Sequence, residues 1–194
     1  MFVAEGEDLV AAAGAEPVDL LVAGEDVAPE LLAEVSTLAH APRVLGVYRR
    51  HDLPRGTRPV TLALWRVADP GNVGTLLRSA DAFGAGVALS PGCADPTGPK
   101  ALRASMGAIF RVPIAEFDAA AGRRIALVPH GGTPLPELDL DGDIVFVLGA
   151  ERDGLPEEVL TTCDRQATIP QQGESESLNV AMAGTIALYE RARR

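Results

Sequence analysis

The chain has 194 residues, 47% hydrophobic, with a net charge of −10 at pH 7, enough for one domain, or for one domain with a small annex. That charge argues against indiscriminate nucleic-acid binding, and no apolar run is long enough to span a membrane. The acidic start MFVAEGEDLV is no signal peptide, and Cys93 and Cys163 show no disulfide or metal-ligand spacing, so both read as packed thiols of a reduced, cytoplasmic protein.

The elements alternate from the start. FVAEG reads as a strand, EDLVAAAGA as a short helix ending at Gly14, VDLLVAGE as a strand, APELLAEVSTLAH as a helix and PRVLGVYRR as a third strand. HDLPRGTRP has the turn chemistry of a linker. Residues 1–55 thus form a small α/β unit, and 56–194 a larger one. In the larger unit VTLALWRV, GVALS, RIALVPH and DIVFVLGAE read as strands. Helices are expected over Gly74–Phe83, near Lys100–Met106, near Pro156–Thr162 and from Leu178 to the end. Strands rich in Val, Ile and Leu alternating with helices predict a parallel sheet covered on both faces.

Charge is unevenly spread. Residues 1–42 hold nine acids and no Lys or Arg. Arg43, Arg49, Arg50, Arg55 and Arg58 then face a single acid, Asp52. Such a strip suits a polyanion or a solvated linker equally well.

In parallel sheets, ligands sit beyond the C-terminal strand ends. The loops there, ADPGNVG, PHGGTPLPE and GAERDGLP, are chemically loaded, as is the segment IPQQGESESLNVAMAGTIALYE. The first loop lacks the G-x-G-x-x-G fingerprint and no G-K-[ST] occurs, so a Rossmann-type nucleotide enzyme fits poorly. No G-x-S-x-G elbow occurs, and His40, His51 and His130 form no triad pattern. On residue chemistry alone, Asn72 reads as a glycine-flanked turn residue. Arg78 reads as a partner of Asp81, Glu151 as a turn carboxylate paired with Arg152, and Ser177 as an N-cap.

DPGNVGTLLRSADAFGA, FVLGAERDGLP and IPQQGESESLNVAMAGTIALYE resemble, in order and spacing, the three signature motifs of SpoU-type (TrmH-like) RNA 2′-O-ribose methyltransferases. RASMGAIFRVP matches a stretch such enzymes carry between the first two motifs. The resemblance covers Val60 to the C-terminus. Residues 1–55 are similar to the small RNA-binding domain ahead of many rRNA-directed members, shortened at its start.

The resemblance implies a parallel α/β domain with a C-terminal trefoil knot and a homodimer with its site at the subunit interface. It implies methyl transfer from S-adenosylmethionine, without metal, to a ribose 2′-hydroxyl of RNA, rRNA more readily than tRNA. A catalytically idle RNA-binding homologue is the alternative. Asn72, Arg78, Glu151, Ser177 and Asn179 become the catalytic cluster, with Arg78 as base or phosphate clamp. Gly131, Gly149, Ile169 and Leu178 become cofactor contacts, and Arg43, Arg49, Arg50, Arg55 and Arg58 an RNA-binding strip. The small residues Ala181, Ala183 and Gly184 suit a closely packed helix or a dimer interface.

Overall fold

The computed structural model describes residues 1–38, 40–173 and 176–194; Ala39 of the segment read as the second helix, and Glu174 and Ser175 of the segment before the last helix, lie outside them. The first unit is β1 (Phe2–Glu5), α1 (Glu7–Ala11), β2 (Asp19–Val22), α2 (Pro29–Val35) and β3 (Val44–Tyr48), with a three-stranded antiparallel sheet ordered β1-β3-β2. The second runs β4 (Val60–Leu64), α3 (Pro70–Ala82), β5 (Gly86–Leu89), α4 (Pro99–Ser105), β6 (Ile114–Glu116), β7 (Arg123–Leu127) and β8 (Thr133–Pro134). It closes with β9 (Ile144–Leu148), α5 (Glu157–Leu160), β10 (Arg165–Thr168) and α6 (Val180–Ala192). Its sheet is parallel throughout, ordered β6-β5-β4-β9-β7-β10-β8. Strands β6, β8 and β10 escaped the sequence reading because two to four residues are too few to show a period.

The strand alternation sorts the core. Leu62, Leu64, Phe146 and Leu148 face one side, with α3 and α6; Ala63, Val145 and Val147 face the other, with Phe117 and Val159. Helices α3 and α6 touch closely. A Cβ on Gly184 would lie 2.5 Å from a Leu76 methyl and 3.1 Å from one of Leu148, so this glycine serves packing within the chain rather than a dimer contact. Ser79 and Thr185 share a 2.7 Å hydrogen bond across the same seam.

The chain goes from β4 outward to β5 and β6, then crosses to the other side, and β9 enters beside β4. The strand order reverses between β4 and β9, which opens a crevice at their C-terminal ends. There the loops β4–α3 and β9–α5 become neighbours.

The first unit shares the larger core. Phe2, Tyr48 and Phe110 form a ring cluster with centroids 5.1–6.0 Å apart. Arg50 donates two hydrogen bonds to Asp95, at 2.9 and 2.6 Å. No helix among the described residues is long and apolar enough to cross a membrane.

Candidate active site

Helix α3 begins earlier than its sequence pattern suggests. Asp69 caps it, accepting the Gly71 N–H at 2.5 Å, and Pro70 occupies the first helical position. Asn72 therefore sits in the first helical turn, not in a glycine-shaped loop. Gly74 is needed for another reason: a Cβ there would lie 2.6 Å from that of Ala104 and would run into the Ala101 carbonyl, so the glycine lets α4 lie against α3. Lys100 of α4 steadies the cap with a 3.1 Å ion pair to Asp69.

Glu151 staples the two neighbouring loops. It accepts from the Asn72 amide at 2.9 Å and from the Asp69 and Ala68 N–H groups at 3.2 and 3.3 Å; no ion pair with Arg152 forms among the described residues. Asn72 in turn accepts from the Asn179 amide at 3.1 Å. Asn179, not Ser177, caps α6, accepting from Ala181 and Met182 N–H at 2.9 and 3.3 Å. A carboxylate–amide–amide relay thus ties the C-terminal end of β9 to the N-termini of α3 and α6. Burial alone raises the Glu151 carboxyl, but hydrogen bonds from Asn72 and the backbone outweigh it and hold the group below its ordinary value. Glu151 is therefore an anion at neutral pH, an acceptor for every donor aimed at it.

Beside this relay lies a cavity of about 310 Å³ at the ends of β7, β9 and β10. Leu127, Val128, Leu148 and Ile169 give it apolar walls; Glu151, Gln171, Ser177 and Asn179 give it polar atoms. Of the residues singled out in the sequence, Gly149, Ile169, Leu178, Glu151, Ser177 and Asn179 line it, whereas Gly131, Asn72 and Arg78 do not. Leu127, Val128 and Gln171 were not singled out; their position at or just after the ends of parallel strands was the available signal. Gly149 also has a reason other than a close ligand. A Cβ on it would run into the backbone of Gly154 and lie 2.6 Å from the Leu155 nitrogen, where the chain doubles back through an Ala150–Gly154 bridge.

Arg78 is exposed and its side chain has no hydrogen bond or ion pair among the described residues; Asp81, expected to pair with it, binds Arg111 at 2.8 Å instead. Six helical residues separate it from Asn72, about 9 Å along the axis and about 240° around it. One chain by itself does not aim Arg78 at the relay.

The arginine strip is mostly engaged. Arg43 pairs with Glu7 at 3.6 Å, Arg49 with Asp52 at 4.0 Å, and Arg58 donates to the Arg111 carbonyl at 3.3 Å. Arg55 is exposed. Arg50 fastens the first unit to the second, and hydrogen bonding from it draws the Asp95 carboxyl down to about 2 against the loss from burial. A depressed carboxylate stabilises fully above its unfolded value of 3.8 and loses that contribution as pH falls through about 2. Arg50→Ala is expected to cost about 1 kcal/mol at pH 7, since the pair is half exposed. Thermal unfolding of both proteins should converge between pH 4 and 2.

The family model described as SpoU rRNA Methylase family matches residues 59–189. The chain belongs to the SpoU rRNA methylase family. Among curated relatives, the 23S rRNA (uridine(2479)-2′-O)-methyltransferase of Streptomyces viridochromogenes is 35% identical over 190 residues, covering 87% of this chain and 66% of that protein. The chain spans from about half to 66% of the length of three curated relatives that it matches. Two solved family structures are close in fold. The AdoMet-bound rRNA methyltransferase from Sinorhizobium meliloti superposes with TM-score 0.85 at 30% identity, covering 99% of this chain and 87% of that one. The SpoU methyltransferase AviRb of S. viridochromogenes, in complex with AdoMet, gives 0.84 at 27% identity, covering 99% and 89%.

Proposed function

We propose that this protein methylates a ribose 2′-hydroxyl of RNA, rRNA in preference to tRNA, with S-adenosylmethionine as donor and no metal. The observation that carries the reading is the Glu151–Asn72–Asn179 relay standing beside the amphipathic cavity. Its residues fit the cofactor: Leu127, Leu148 and Ile169 suit a heterocycle, and Gln171, Ser177 and nearby backbone suit a charged tail. When bound, S-adenosylmethionine supplies a methyl group already activated on a sulfonium, so no metal is needed for leaving-group chemistry. The relay holds the Asn72 and Asn179 amides in fixed orientations beside the cavity. The role of Arg78 here is to clamp the phosphate beside the target ribose with its planar guanidinium fork and stabilise charge developing on the oxygen.

The position of Arg78 favours a site completed by a second copy. Met182, Ile186 and Tyr189, at 50%, 37% and 57% exposure, form a stripe along α6 whose other face is buried against α3. We assign that stripe to a homodimer interface close to the cavity, since α6 starts at the relay. The division at residues 55 and 56, the knot in the C-terminal part and a cytoplasmic setting belong to the same reading, on family grounds. Ile186→Glu with Tyr189→Glu should convert a dimer at micromolar concentration to monomer by sedimentation velocity; a monomeric wild type overturns the assignment. The function is tested by ribose-methylation mapping of RNA from cells with and without the protein, alongside calorimetry with S-adenosylmethionine in EDTA. Loss of one mapped 2′-O-methyl group and chelator-independent binding are expected.

A further inference from the structure

Among the described residues, Arg66 is one of two other than glycine with a positive φ, at +52°; the other is Met106, at the C-cap of α4. For a branched or long side chain that conformation costs about 1–2 kcal/mol relative to the right-handed region. The turn itself has an evident use. It swings the chain after β4 so that Ala68 and Asp69 present their N–H groups to Glu151. A glycine would make the same turn without strain, so the arginine side chain does something that the free protein's stability does not require.

Its surroundings narrow what that is. The Arg66 N–H donates to Ser90 Oγ at 2.9 Å, and the side-chain stem lies across Gly92, where an added Cβ would sit 3.4 Å from Nε. The stem is thus held while the residue stays exposed, and no acid among the described residues pairs with it. The acid on its own loop, Asp69, is occupied by Lys100 and the helix cap. Across the Glu151 staple, Arg152 lines the cavity, exposed and without an ion pair among the described residues, next to the exposed Asp153. Two guanidinium groups without an acid partner among the described residues therefore stand on two loops that Glu151 staples together, Arg152 at the cavity and Arg66 on the Gly92 side, in a protein of net charge −10.

We propose that Arg66, with Arg152, is a phosphate-binding site for the RNA strand flanking the target ribose, and that the strain at Arg66 is retained for it. The proposal rests on the functional reading above. A pre-positioned guanidinium gains phosphate contacts with little further loss of side-chain freedom. It places sequence-independent RNA contact on the two loops that Glu151 joins.

The test uses fluorescence anisotropy of a labelled oligouridylate over a salt series, with thermal unfolding and calorimetry of S-adenosylmethionine on the same proteins. Arg66→Gly is expected to move two readouts in opposite directions. Its Tm rises because the strain is gone, while RNA affinity falls about five-fold at 0.1 M salt, the value of one counterion at a slope of about 0.7 per phosphate. Arg66→Lys should keep most of the affinity and the slope, and Arg152→Ala should lower both. Cofactor affinity stays unchanged in Arg66→Gly. Equal affinities and slopes in wild type, Arg66→Gly and Arg152→Ala, including no binding by any of them, overturn the proposal. A wild type that binds the oligonucleotide through Arg66 yet neither binds S-adenosylmethionine nor methylates RNA refutes the functional reading instead.

Discussion

Arg78→Ala is expected to lower the single-turnover rate of methyl transfer by about 10²–10³-fold, the loss typical of removing one pre-organised donor to developing charge. RNA affinity should change far less, because the benefit arises mainly in the transition state. Arg78→Lys keeps the charge but not the planar fork, so it should recover only part of the rate. The geometry adds a sharper form of the test. Arg78 is exposed, outside the cavity and on a different side of α3 from Asn72. If a second copy supplies it, Arg78→Ala mixed with Asn179→Ala should regain activity that neither variant shows alone, since one site of the mixed dimer is intact. Absence of rescue in dimers shown to exchange subunits would place Arg78 and the relay in the same chain's site.

Gly149→Ala should be the most damaging single methyl group in the molecule. The added Cβ falls on the backbone of Gly154 and Leu155, which cannot rotate away as a side chain can. The bridge from Ala150 to Gly154 must open, and Glu151 moves with it. A cost of at least about 3 kcal/mol is expected, at the upper end for overpacking. For a chain of this size that is a fall in Tm of about 6–12 °C. Cofactor binding should be lost with it, because Gly149, Ala150 and Glu151 all line the cavity. Gly131→Ala is the control: φ there is +78° but nothing lies within 4 Å of the new Cβ. Only the backbone strain is felt, about 1–2 kcal/mol, with cofactor binding kept. Equal Tm values for Gly149→Ala and wild type would show that the turn yields.

The relation between sequence and structure differs from element to element. VTLAL and IVFVL were readable as buried parallel strands because their apolar runs are continuous, and burial on both faces requires that. Asn72, Glu151 and Asn179 were singled out by motif resemblance. Residue chemistry alone had assigned Asn72 to a turn and Glu151 to a pairing with Arg152. What joins them is the reversal of strand order between β4 and β9, a property of topology that no local pattern encodes. The roles of the glycines are likewise tertiary. Gly74 and Gly184 look alike in the sequence as glycines inside helices, and only packing shows that one admits α4 and the other Leu76. The arginine strip shows the opposite limit: its density was plain in the sequence, but its charge is spent on partners 36 and 45 residues away, Glu7 and Asp95. Hydrophobic periodicity and turn chemistry are local and therefore written in the chain; which loops meet, which charges remain free and which glycines are indispensable depend on contacts between distant segments, and those exist only once the sheet has formed.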